Sequence, residues 1–175
     1  MSIPFTHNPP SDPFTPVGGL PDWTQAMRRA THAHHTGQWV LAASQYQTAL
    51  GMARGLICQD PGAPQPHVLT DEEADARVCA FVSSHRCLAD LQADEGRPDQ
   101  AAATLAQAHV ALLQLVRSHP HAGAWHRAAV WHCRDTHAAL LAHWGEHGAH
   151  PDIDRALRAG CLTLNTACVP PARVH

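Results

Sequence analysis

Small and apolar residues recur along this chain at steps of three and four, and no stretch alternates in steps of two. That period belongs to helices with one buried face, not to half-buried strands. Start and stop signals divide the pattern into six helices. The first opens at Asp22, where Asp22-x-x-Gln25 has the form of a capping box, and ends at Gly37, a residue suited to positive φ. The second runs from about Gln38 to Cys58 and stops before Asp60-Pro61-Gly62. The third opens with Thr70-x-x-Glu73, a second capping box, and ends at Gly96. Asp71 and Glu72 reinforce its start at the positive end of the helix dipole. Pro98 suits a first helical turn, so the fourth starts there and ends near Ser118. The fifth spans roughly Ala124 to Trp144 and ends at Gly145 or Gly148. The sixth starts at Pro151-Asp152 and fades near Asn165.

The connections inside successive pairs are short: Gly37, then Gly96-Arg97, then Gly148-Ala149-His150. Short connections force antiparallel neighbours. The expected fold is therefore all-α, with three antiparallel helical hairpins in a repeat array or a compact bundle, over residues 22–168. Residues 1–21 hold six prolines and Gly18-Gly19, which predicts an irregular or disordered arm. Phe5 and Phe14 are the groups that could dock it. Residues 169–175 form a non-helical tail.

At 175 residues the chain suits one domain. An apolar fraction of 45% against 15% charged residues argues against disorder. No run of 18 apolar residues predicts a membrane span. The opening residues show neither the basic stretch nor the apolar run of a secretory signal, so the expected location is cytoplasmic. The six cysteines form no C-x-x-C pair and are expected as free thiols. All 12 basic residues are arginines and they are scattered, which gives no footprint for nucleic acid. The 16 histidines make the charge unusually sensitive to mild acid.

Two hairpins share a pattern. One reads Ala30-x-x-Ala33-x-x-x-Gly37-x-Trp39-x-x-Ala42-x-x-x-Tyr46-x-x-Ala49-Leu50. The other reads Ala89-x-x-Gln92-x-x-x-Gly96-x-Pro98-x-x-Ala101-x-x-x-Leu105-x-x-Ala108. Small residues let the two helices approach, the glycine makes the turn, and Tyr46 or Leu105 fills the groove. This resembles the tetratricopeptide repeat over residues 26–53 and 85–112. The turn glycines are 59 residues apart, against a repeat of about 34 in that family. The third hairpin, 124–165, matches only in shape.

The resemblance implies a non-enzymatic interaction module that needs no cofactor and holds a partner protein or peptide. It implies Arg28, Arg29, His32, Arg86 and Gln92 as contact residues, with Arg28 and Arg29 attracting an acidic tail. Exposed Leu162 and Leu164 on the last helix would cap the array or form a homodimer.

The histidines support a second reading, a metal-binding or metal-responsive protein on the same scaffold. His32 and His35 lie one turn apart. His126, Cys133 and His137 fall on one stripe of the fifth helix, on its apolar side. His143, His147 and His150 are spaced by four and three, and zinc, copper or nickel would suit them. His143-x-x-Glu146-His147 also matches the zinc motif of the inverted zincin peptidases. Gly145 and Gly148 would weaken the helix that motif needs, and no distal acidic ligand is identifiable. The expectation is therefore that the chain is not an enzyme.

Overall fold

A computed structural model describes residues 20–58, 69–119 and 123–167, with the side chains of 164–167 excepted. The helices are α1 (Pro21–His35), α2 (Trp39–Ile57), α3 (Asp71–Asp94), α4 (Pro98–Ser118), α5 (Ala124–His147) and α6 (Pro151–Ala167). No strand occurs among the described residues, and none of their helices is long and apolar enough to cross a membrane. The fold is all-α, as the periodicity requires. The arm as far as residue 19, the Asp60-Pro61-Gly62 stop and the tail 169–175 lie outside the described residues.

The two glycine turns are copies of one another. Gly37 and Gly96 both sit at φ 72°. In the first, Gly37 N–H donates to the His34 carbonyl at 3.0 Å and Gln38 N–H to that of Ala33 at 2.8 Å. In the second, Gly96 N–H donates to Ala93 at 2.9 Å and Arg97 N–H to Gln92 at 2.8 Å. These paired bonds satisfy carbonyls that a helix end leaves open, and they need a residue that tolerates positive φ.

The Thr70 cap forms as its sequence predicts. Glu73 N–H donates to Thr70 Oγ1 at 3.2 Å, and Thr70 N–H donates to Glu73 Oε2 at 3.0 Å. The expected cap at Asp22 does not form. Pro21 takes the first helical turn and Leu20 becomes the cap residue, with no side-chain bond. A proline needs no N–H partner and is already set at helical φ, so the cap moves two residues upstream, from Asp22 to Leu20. Asp22 then lies inside the first turn, where its charge still meets the dipole. At the far end of the chain, α5 runs through Gly145 and ends at Gly148, whose φ is 89°.

Side-chain links reveal how the helices stack. Trp23 Nε1 donates to Ser84 Oγ at 2.8 Å, and His34 Nε2 lies 2.9 Å from Asp94 Oδ2. Arg127 pairs with Asp71, and His132 Nε2 lies 3.0 Å from Asp75 Oδ1. Both members of each pair advance together along the chain. Helices α1, α3 and α5 therefore run parallel as one layer, at a sequence offset close to the 59 residues that separate Gly37 from Gly96. Helices α2 and α4 return antiparallel behind them.

The repeated small residues are the contact surface between layers. Ala30, Ala42, Ala49 and Ala101 are fully buried, and Tyr46 is 2% exposed. The third pair is more open than the first two, because α6 packs chiefly on α4 and only lightly on α5. Its buried stripe is Ile153, Ala156, Gly160 and Thr163, and Gly160 is what admits the ring of His109 from α4.

Candidate functional site

The seam between α3 and α5 is closed at one end and open at the other. At the closed end, Asp71 pairs with Arg127, and His132 stands between Asp75 and Asp135 (3.0 and 3.4 Å). A broad hollow beside these pairs is lined by Asp71, Asp75, Arg127 and Trp131. Trp131 is 62% exposed, and the Arg134 guanidinium lies 5.7 Å from its ring centre.

At the open end the two helices leave a cleft of about 160 Å³. Helix α3 contributes Arg86, Ala89, Asp90 and Ala93, spaced three, four and seven residues from the first. Helix α5 contributes Ala139, Ala142, His143, Glu146 and His147, and Leu105 of α4 forms the floor. Helical spacing puts each set on one stripe. The four alanines keep the cleft open, since any larger side chain there would fill it.

The rim is charged. Burial raises the Asp90 carboxyl above its ordinary range, and the nearby negative charges of Asp94 and Glu146 push the same way. Arg86 and His34 oppose that rise. His34 is the one group that α1 adds here, through its contact with Asp94. Burial lowers His143, and the neighbouring His147 ring, 4.5 Å away between centres, adds to the effect. His143 also interacts with the backbone of Pro98.

Three of the sequence-predicted residues thus meet in one place: Arg86, His143 and His147. The others do not line the cleft. Gln92 Oε1 accepts from Thr104 Oγ1 at 2.8 Å, which ties it to α4. Arg28, Arg29 and His32 are exposed on α1 and do not line the cleft. His150 lies beyond the Gly148 break, where its Nδ1 accepts from the Asp152 N–H at 3.2 Å.

The stripe of α5 points inward. His126 Nδ1 reaches the Val116 carbonyl at 3.1 Å, Cys133 is fully buried, and His137 lies beside the His109 ring. Among the described residues, no group of three or more His, Cys, Asp or Glu side chains stands ready to hold a metal ion. Asp90 carried no sequence signal of its own. It lines the cleft with Glu146 only because α3 stacks parallel to α5.

A family model described as "Protein of unknown function (DUF2753)" matches residues 21–175. No curated protein and no solved structure matches the chain.

Proposed function

The chain belongs to the DUF2753 family, and we propose that it is a non-enzymatic docking module. In this reading it holds a segment of a partner protein against the α1–α3–α5 layer, and the α3–α5 cleft is the anchor point. The observation that carries it is the size and rim of the cleft. At about 160 Å³, the cleft falls below the roughly 300–1,000 Å³ of small-molecule sites. It suits one anchoring side chain.

Ala89, Ala93, Ala139, Ala142 and Leu105 would receive a small apolar anchor. Arg86 on one bank and Glu146 on the other would receive flanking charges of opposite sign. The resemblance of the small-residue pattern to tetratricopeptide repeats supports this reading, since that family holds peptides on the face of a helical array. Arg28, Arg29 and His32 would extend the contact along α1. The five described cysteines are unpaired, which supports a reducing, cytoplasmic setting.

Photo-crosslinking tests the proposal. A photoreactive residue in place of Glu146 should give one dominant protein adduct in cells producing the full chain. Ala142→Trp, which fills the cleft, should reduce that adduct by about tenfold, a loss of roughly 1.4 kcal/mol of binding. No adduct, or one indifferent to Ala142→Trp, overturns it.

A further inference from the structure

We propose that His143 and His147 form a two-imidazole chelate for a divalent transition-metal ion (zinc, nickel or copper) at the mouth of the α3–α5 cleft. The pair lies one helical turn apart with ring centres 4.5 Å from each other, so one ion can bridge both rings without unwinding α5.

Two further observations favour a cation there. His143 is 8% exposed and lines the cleft together with His147. Finally, the cleft gathers carboxylates. Asp90 and Glu146 face it from opposite helices, and Glu146 Oε2 lies 3.9 Å from His147 Nε2. Their mutual repulsion falls when a divalent ion enters.

The ligand set is two nitrogens from the protein, with water in the remaining positions and the two carboxylates supplying charge nearby. Imidazole ligands select zinc, copper and nickel over calcium and magnesium.

Isothermal titration of the full chain with nickel or zinc ion alone tests the site. One equivalent should bind. His147→Gln should weaken that binding by about tenfold or more, because a chelate becomes a single contact. His147 is on the surface, so the variant should keep its helical circular dichroism. Nickel-induced broadening of amide signals should centre on residues 139–147 and 86–93. His35→Gln, at an exposed histidine on α1, should leave affinity unchanged. The proposal is overturned by no binding, by binding indifferent to His147→Gln, or by broadening centred elsewhere.

Discussion

A β-carbon on Gly160 would lie 2.6 Å from His109 Nε2. The glycine and the imidazole are a matched pair across the α4–α6 contact. His109 is fully buried, and its Nδ1 is fixed by Thr136 Oγ1 at 2.8 Å, so the ring has no free direction in which to retreat. Helix propensity alone favours alanine over glycine by about 1 kcal/mol. The clash opposes this and exceeds it, because overpacking a rigid interior costs roughly 1–3 kcal/mol. Gly160→Ala should therefore destabilise the protein in urea unfolding. Adding His109→Ala should recover part of the loss, which a double-mutant cycle reads directly.

Gly51 and Gly55 lie inside α2 with nothing within 4 Å of an added β-carbon. There the propensity term acts alone. Each alanine replacement should stabilise the protein by about 0.5–1 kcal/mol. Gly37→Ala and Gly96→Ala should do the reverse. Both have equally open surroundings but sit at φ 72°, where an L side chain costs roughly 1–2 kcal/mol. Thermal melts of the four variants should separate into these two groups. Equal shifts would show that the turns relax away from positive φ.

Mild acid should loosen the protein from inside. Burial holds His85 and His109 down at about 4, against an ordinary value of 6.5. His85 Nδ1 lies 2.9 Å from the Phe81 carbonyl, a contact that raises the group but does not offset its burial. For His109, the nearby His137 adds to the lowering. A depressed imidazole binds its proton more readily in the unfolded chain. The stability it contributes is thus complete above pH 6.5 and is lost as pH falls toward 4. Each shift corresponds to roughly 3 kcal/mol. Urea midpoints measured between pH 7 and 4 should fall steeply, and His109→Leu should flatten the fall by about half. An unchanged slope would mean that His109 is not buried in solution.

The helices were legible in the sequence because their signals are local. Thr70 with Glu73, Gly37, Gly96 and Pro98 each act within a few residues, and each has its expected role. At Asp22 two local signals compete, and the fixed φ of Pro21 wins over the acidic cap. The site was only half legible. His143 and His147 stand four apart on one helix, so spacing revealed them. Asp90 and Glu146 meet only through the parallel stacking of α3 and α5, which no local pattern carries. The openness of the third pair depends on Gly160 meeting His109, a contact between residues 51 apart in sequence.

The cysteines test whether the α1–α3–α5 layer stays shut. Cys58 and Cys161 are exposed, Cys79 and Cys87 are half-buried, and Cys133 is fully buried. Burial pushes the Cys87 thiol up to about 11, with Asp90 adding to the rise, and pushes Cys133 up to about 12. The thiolate is the nucleophile, and a free cysteine titrates near 8.5. At pH 8 the thiolate fraction of Cys87 is therefore about 200-fold lower than that of an exposed cysteine, before access is considered. Iodoacetamide at pH 8, followed by peptide mass spectrometry, should label Cys58 and Cys161 first. Cys87 and Cys133 should react only after denaturant is added. Both are packed into the main core, Cys133 inside it and Cys87 against its edge. If Cys87 reacted as fast as Cys58 in native buffer, that edge would be opening on the timescale of labelling. The cleft beside Arg86 and Asp90 would then lack the fixed wall that an anchor needs.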